Sequence, residues 1–292
     1  MSGRCVCCAG RELHALAYRD EFVGRPLRQC RDCGHMQVET LPDAEQLQRF
    51  YTTHYSAARS DMLSERYLRI MERRARAQLD FCERKLALSE SSLLDLGCGY
   101  GSLVASAAAR GADARGVDFD PQAVAYARRQ GILVEGVDSE CFLAAMVMEL
   151  VPKIVTLSHS LEHLRDPERM LSACEQSFVF IEVPAYDAKL AAQFVEQEGH
   201  LNFFTSQSLA RLLARLQFEP LALASYGPAR DLFWRRRLRP LKRLRQALSG
   251  DYFFGQYDRV RERGIWIRAL AKGRRCAFSA RHGGESRTSF AL

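Results

Sequence analysis

The sequence predicts an α/β protein, a largely parallel sheet covered by helices on both faces and preceded by a small cysteine-rich module. Three observations carry this. From Ser92 onward short apolar runs alternate with helical patterns, the first of those runs leads straight into the glycine-rich turn Gly97-Cys98-Gly99-Tyr100-Gly101, and two Cys-x-x-Cys pairs stand near the N-terminus. Repeated βα units build parallel sheets because each crossover helix returns the chain to the same edge. With 292 residues the chain has the length of about two domains, so one boundary is expected. Hydrophobic residues at 47% and charged ones at 26% exclude a disordered chain, and no apolar run nears the roughly 18 residues of a membrane span. The start, MSGRCVCCAGRELH, has no apolar stretch behind its first arginine. That argues against a cleaved signal peptide and makes the reducing cytoplasm the expected compartment, with the cysteines as thiols or metal ligands.

The first element is Cys5-Val6-Cys7-Cys8, followed after 21 residues by Cys30-Arg31-Asp32-Cys33-Gly34. Two residues between thiolates let a tight turn aim both sulfurs at one ion, and four sulfurs close a tetrahedron. Cys5, Cys8, Cys30 and Cys33 are therefore the expected ligands of a structural zinc ion, in a zinc ribbon spanning residues 1–40. Cys7 offers an alternative register, but Cys5 with Cys8 matches the spacing of the second pair. His35 adjoins Gly34 and is expected to point away. About 40 residues can hardly bury a core without such a staple.

Residues 41–90 read as a helical linker or cap, with Leu47, Phe50 and Tyr51 and then Tyr67, Ile70, Met71, Leu79 and Phe81 at spacings of three and four. Strand Leu93 to Leu96 and the glycine turn follow, then helix Ser102 to Arg110, strand Ala114 to Asp118 and helix Pro121 to Gln130, stopped by Gly131. Next come strand Ile132 to Glu135, helix Glu140 to Leu150, strand Lys153 to Ser158 and strand Phe178 to Val183. Helix Ser206 to Leu216 and strand Phe218 to Ser225 complete six strands, and Ile265 to Lys272 reads as one more without a clear crossover helix before it.

A glycine-rich turn after the first strand places backbone N–H groups at a helix start with no side chains in the way. About 20 residues on, Val117-Asp118-Phe119-Asp120-Pro121 ends the next strand, where an acidic side chain can accept both hydroxyl protons of a ribose; Asp118 is the candidate. The spacing departs from the dinucleotide fingerprint, and Asp95, just before the first glycine, would repel an anionic cofactor. A cofactor with a positive end fits better.

The runs Leu93 to Gly101 (LLDLGCGYG), Val117 to Pro121 (VDFDP) and Ser160 to Pro167 (SLEHLRDP) together resemble the class I S-adenosylmethionine-dependent methyltransferases. The last of them, with Gly199 to Thr205 (GHLNFFT), is similar to the subgroup that carries an N-terminal zinc ribbon and includes deoxysugar C-methyltransferases. The resemblance runs from Cys5 to about Lys272 and weakens between Gly227 and Ile265. It implies a Rossmann-like sheet of seven strands with the last antiparallel, which accounts for the isolated strand at Ile265, in a domain spanning residues 91–275. It also implies S-adenosylmethionine as cofactor. Asp95 and the loop of Gly97, Cys98, Gly99 and Gly101 would hold the methionine end, Asp118 the ribose and Phe119 the adenine, with Ser158 completing the set. Where relatives have an acidic residue soon after the third strand this chain has Gly136-Val137-Asp138, so Asp138 either takes the adenine amine one position late or stands outside the site. Tyr55 corresponds to a tyrosine that closes over the cofactor, with simple packing as the alternative.

In a parallel sheet, ligands bind where the carboxyl ends of strands meet their loops. This gathers His159 and His163 after the fourth strand, and Glu196, Glu198 and His200 after the fifth. Methyl transfer needs alignment and removal of a proton from the nucleophile, a task for neutral histidine. His200 is the leading base; His163 binds substrate or shares the role. In the resembling C-methyltransferases a Tyr-x-Glu-His run ends at that histidine, whereas here it reads Gln197-Glu198-Gly199-His200, which puts keto-sugar carbanion chemistry in doubt.

Net charge is +7, but from Gly227 to Arg281 there are 16 Lys/Arg against 4 Asp/Glu, leaving the rest of the chain at −5. That localisation speaks against a nucleic-acid binder. The excess centres on a basic insertion, residues 227–262, whose run Trp234 to Leu248 reads as an amphipathic helix with leucines at 238, 241, 244 and 248. Its arginines suit a phosphate, an anionic membrane surface or an acidic carrier protein alike. Residues 276–292 read as a disordered tail. The expected function is methylation, at oxygen or carbon, of a small molecule such as a sugar nucleotide, glycan or secondary metabolite, whether anionic or carrier-linked. The alternatives are a non-catalytic zinc-ribbon binding protein and an RNA or protein methyltransferase; the latter lacks an Asn/Asp-Pro-Pro-Tyr motif, since Ser158-His159-Ser160-Leu161 stands there.

Overall fold

The computed structural model describes residues 3–16, 26–50, 64–139, 142, 151–188, 190–191, 199–230, 241, 244, 251, 253 and 255–280. Strands β1 (Leu13–Ala15), β2 (Leu27–Cys30) and β3 (Met36–Val38) form an antiparallel meander. Helix α1 (Ala44–Arg49) starts on a reciprocal cap between Asp43 and Gln46, and α2 (Glu65–Glu83) on the Ser64 hydroxyl, which accepts the Tyr67 N–H. Then come β4 (Ser92–Leu96), α3 (Ser102–Ala108), β5 (Asp113–Asp118), α4 (Pro121–Arg129), β6 (Val134–Gly136), β7 (Ile154–Ser158), α5 (Pro167–Ala173) and β8 (Phe178–Pro184). The short β9 (Asn202–Phe203), α6 (Ser206–Arg215), β10 (Glu219–Ala229) and β11 (Gly264–Lys272) finish the described chain.

Seven strands form the main sheet in the order β10-β11-β8-β7-β4-β5-β6. β4 to β8 pair in parallel, and β11 lies antiparallel between β8 and β10, so the last strand in sequence is the reversed one, as the resemblance implies. Alternation along each strand splits the apolar side chains between two faces. Leu94, Leu96, Val155, Leu157, Val179, Ile181 and Ile267 meet α5, α6 and the cysteines of the meander on one side. Leu93, Ala114, Ile154, Phe178, Phe180 and Leu270 meet α2 and α3 on the other. The residues expected to link the two modules thus include a helix, α2, that packs on the sheet.

Two strands depart from the sequence reading. β6 begins at Val134 rather than Ile132, because the Ile132 N–H is spent on the Ala127 carbonyl that ends α4 and its side chain packs beneath Gly101. β10 runs on to Ala229 because β11 offers it a partner as far as Gly264. The helix expected over Glu140 to Leu150, apart from Phe142, lies outside the described residues; of the tail expected over 276–292, residues 276–280 are described, with Cys276 buried, and those from Arg281 are not. The basic helix lies outside them as well, apart from Leu241 and Leu244, which are exposed. Among the described residues no helix is long and apolar enough to cross a membrane.

β9 has no counterpart in the sequence reading. It leaves the main sheet and pairs with β3, making the meander a four-stranded sheet, and the Val38 N–H reaches the Leu201 carbonyl at 3.1 Å. Arg215 on α6 adds bonds to the carbonyls of Val6 and Cys7 at 2.7 and 3.0 Å, and the Thr205 hydroxyl donates to the Cys33 carbonyl at 3.3 Å. The cysteine module is thereby fastened to the segment that carries His200.

Candidate active site

The glycine turn after β4 holds Gly97, Gly99 and Gly101 at positive φ, where side chains are strained. A Cβ on Gly97 would come within 2.9 Å of Ser160, in the loop after β7, whereas one on Gly99 would meet nothing within 4 Å. The turn is therefore packed against the neighbouring loop on one side and open on the other. Asp118, at the carboxyl end of β5, accepts the Gly99 N–H at 2.7 Å and the Asp120 N–H at 2.8 Å, tying the turn to the start of α4. Next to Asp118, Phe119 is 42% exposed, and Asp138 is also exposed, after β6.

Asp95 is buried two positions before the turn, its Oδ1 accepting the Thr156 hydroxyl at 2.6 Å. Burial pushes its carboxyl up to about 7 and the Asp118 charge adds to this, against the Thr156 bond. Cys98 differs from the expectation for a ligand side chain. Its Sγ turns under the loop, where a Cβ on Gly116 would meet it at 2.6 Å, so only its backbone is left for a cofactor. The Ser158 hydroxyl at the end of β7 accepts from Gln78 Nε2 at 2.8 Å. Tyr55, Glu196 and Glu198 lie outside the described residues.

On the far side of β7 the structure brings His163 and His200 together, ring centroids 4.5 Å apart. His163 Nδ1 is 3.3 Å from the Gly199 carbonyl, which can only accept, so this nitrogen is the donor of the pair. His200 is 2% exposed and its Nδ1 is 3.0 Å from the Tyr186 hydroxyl. Burial, then the neighbouring His163, pushes it down to about 3 despite the opposing charge of Glu162, and it stays neutral at physiological pH. Gly199 has φ 65°, and a Cβ there would run into the Phe50 ring at 2.5 Å, so glycine is required before the histidine.

Several site residues escape the sequence reading. Glu162 is fully buried and neither carboxylate oxygen has a hydrogen-bond partner, though His159 Nδ1 approaches one of them to 3.3 Å. With His163 and His200 it offers three ligand atoms within 4.8 Å of one another. Tyr186, just past β8, puts a tyrosine on His200 even though the Tyr-x-Glu before it is missing. His159, already expected after the fourth strand, sits at positive φ between Glu162 and Glu182. Glu162 stands inside a run that sequence analysis had singled out; nothing in the local sequence marks Tyr186 or Glu182.

The sulfurs of Cys5, Cys8, Cys30 and Cys33 lie within 4.8 Å of one another, with Cys5–Cys33 and Cys8–Cys30 at 3.5 Å, and all four are free thiols. Tetrahedral zinc with bonds of about 2.3 Å needs sulfurs about 3.8 Å apart, so the donor set fits that ion. Cys7 lies beside the cluster, its thiol meeting both Cys5 and the Ser208 hydroxyl, and His35 packs on Phe204 at 5.0 Å between ring centroids.

The sequence model of a family described as "Methyltransferase domain" matches residues 67–223. Among curated proteins, the ubiquinone biosynthesis O-methyltransferase of Aromatoleum aromaticum is 35% identical over 105 residues, 34% of this chain and 44% of that one. That of Hahella chejuensis is 35% identical over 103 residues, 33% and 42%. The chain thus matches less than half the length of these relatives. Among solved structures, a SAM-dependent methyltransferase from Archaeoglobus fulgidus shares the fold at a TM-score of 0.52 and 18% identity, over 75% of this chain and 99% of that one. Another from Thermotoga maritima gives 0.52 at 11%, over 78% and 99%.

The state of Asp95 has a measurable consequence. Its folded pKa lies above its unfolded value, so the stabilisation tied to its proton is full below about pH 4 and is lost as pH rises through about 7. Asp95→Asn keeps an acceptor for Thr156 without a charge to bury. Thermal melts between pH 5 and 8 should show the variant gaining on the wild type as pH rises, by at most about 4 kcal/mol. Parallel curves would mean that Asp95 is ionised throughout.

Proposed function

This chain belongs to the methyltransferase domain family, and on that premise we propose that it transfers a methyl group from S-adenosylmethionine to an oxygen atom of a small molecule. The observation that carries this reading is the open turn at Gly99 closed by the Asp118 carboxylate. S-adenosylmethionine supplies an electrophilic methyl group on a sulfonium. Asp118 would accept the ribose hydroxyls, Phe119 would lie along the adenine, and Asp95 would ionise beside the positive end. The names of the curated relatives support oxygen as the acceptor atom, and the absence of the Tyr-x-Glu before His200 argues in the same direction. A sugar nucleotide, glycan or secondary metabolite remains the proposed acceptor class.

We assign proton removal to His163 rather than to His200, reversing the order suggested by sequence. A histidine held near 3 is a poor proton acceptor at neutral pH. His163 is only half-buried and has its Nδ1 set by the Gly199 carbonyl, while His200, neutral and bonded to Tyr186, packs against it. The buried Glu162 carboxylate favours a second reading, in which it joins the two histidines in holding a divalent cation next to the acceptor oxygen. Zinc in the ribbon, held by Cys5, Cys8, Cys30 and Cys33, would keep the meander folded and so hold β9 in register beneath this pair.

The cofactor assignment is tested by calorimetry with S-adenosylhomocysteine. Wild-type protein should bind it and Asp118→Ala should bind roughly 10- to 100-fold more weakly, the worth of charge-assisted hydrogen bonds. Equal affinity removes Asp118 from the site. Turnover, followed as S-adenosylhomocysteine release on a panel of phenolic and sugar acceptors, should fall about 10²- to 10⁴-fold in His163→Ala with cofactor affinity unchanged. Chelation separates the two readings, provided ribbon zinc is measured in the same sample: retained turnover keeps the base, and turnover lost and then restored by a divalent cation assigns the cluster to the ion. Metal analysis should find one zinc per chain in wild type and none after Cys30→Ser with Cys33→Ser. Stoichiometric zinc in that double variant would place the ion elsewhere.

A further inference from the structure

A cleft of about 370 Å³ opens between the ribbon and the carboxyl edge of the main sheet. Gly34 and Met36 of the ribbon form one wall, Tyr186 and the start of α6 at Ser206 another, and Arg230 and Arg263 the third. Its position follows from strand order. The glycine turn and Asp118 stand at the ends of β4 and β5, the histidines follow β7 and β8, and the cleft lies beyond them at the ends of β8 and β10 and the start of β11. Tyr186 joins the two regions, since it lines the cleft and its hydroxyl meets His200.

Arg230 is the unusual group. Its backbone is pinned by the bond from its N–H to the Arg263 carbonyl at 2.7 Å, and its side chain is half-buried. Its Nε is shut off from water and meets no acceptor. Two carboxylates line the same cleft, yet neither serves Arg230 Nε: Asp187 accepts the Leu190 N–H at 3.0 Å, and Glu262 is exposed. That Nε is closed to the cleft as well as to water, so the donors an oxyanion in the cleft can reach are the two Nη groups, which are not buried and belong to a side chain that lines it. Guanidinium groups pair best with planar or tetrahedral oxyanions.

We infer that this cleft is the acceptor subsite and that Arg230 binds an oxyanion, a carboxylate or phosphoryl group, carried by the molecule to be methylated. Two strand spacings, about 10 Å, separate the end of β8 from the end of β10. The acceptor therefore places its anionic group roughly that far from the oxygen that reaches the histidines, the span of a substituted ring or a sugar with its phosphate. The identification of the ligand as acceptor rests on the methyl-transfer reading; the oxyanion site itself does not.

The test titrates inorganic phosphate and benzoate, separately, into the whole chain with and without S-adenosylhomocysteine, for wild type, Arg230→Gln and Arg230→Lys. At least one probe should bind the wild type, and the tighter one tells phosphoryl from carboxylate. Arg230→Gln should weaken that binding by about tenfold or more, and Arg230→Lys should recover part of it, keeping the charge but not the fork. S-adenosylhomocysteine affinity should be the same in all three, which also certifies their folding. Failure of both probes to bind folded wild-type protein, or equal binding by Arg230→Gln, overturns the inference. Absence of S-adenosylhomocysteine binding with the probe result intact would instead overturn the methyl-transfer reading and leave the oxyanion site standing.

Discussion

One buried carboxylate, Glu182 near the end of β8, holds the parts of this molecule in their mutual places. It is fully buried and pairs with Arg268 of β11, which is fully buried too, and with Arg74 of α2 at 2.6 Å. Gln78 of α2 donates to it at 2.8 Å and also to Ser158, and His159 Nε2 lies 3.4 Å away. Burial alone would raise the Glu182 carboxyl, but the Arg74 and Arg268 charges outweigh it and hold the group below the ordinary carboxylate range. Removing one partner of such a pair strands a charge at a cost of about 3–5 kcal/mol, so the reversed strand, the helix on the sheet and the loop after β7 are locked to one another. Both halves of the candidate site hang on that loop, the glycine turn through Ser160 and the histidines through His163.

The ribbon has a corresponding role on the acceptor side. Three short strands and a handful of apolar side chains would not stand alone, and their sulfur cluster is packed into the same core as α5 and α6. The bonds from Val38 and Arg215, and that from Thr205 to the Cys33 carbonyl, then make the ribbon one wall of the site rather than an appendage. The cleft that carries Arg230 exists only because the ribbon faces the sheet edge there.

Burial and local hydrogen bonds divide the site electrostatically. Asp95 and His200 are both driven toward their neutral forms, one upward to about 7 and the other downward to about 3. Asp118, by contrast, is bound by two amides that favour its charge. The glycine turn therefore faces negative charge and the far side of β7 holds a neutral His200, the separation that the proposed transfer of a methyl group from a cation to a nucleophile would use.

What could be read from the sequence alone were the local features. The αβ alternation, the Gly97–Gly101 turn, Asp118 after the next strand and the cysteine pairs each depend on residues close together in the chain, where φ preference, periodicity and ligand spacing act directly. The reversed seventh strand came only through family likeness. Tertiary structure decided the rest. Arg268 reads as an interruption in an apolar strand until Glu182, 86 residues away, is set beside it. Asn202 and Phe203 carry no strand signal, because two residues are too few for a period and their partner β3 lies some 165 residues earlier in the chain. Tyr186, Glu162 and Arg230 are ordinary residues in sequence; what singles them out is desolvation and the neighbours that folding brings, and neither property is encoded at any distance shorter than the fold itself.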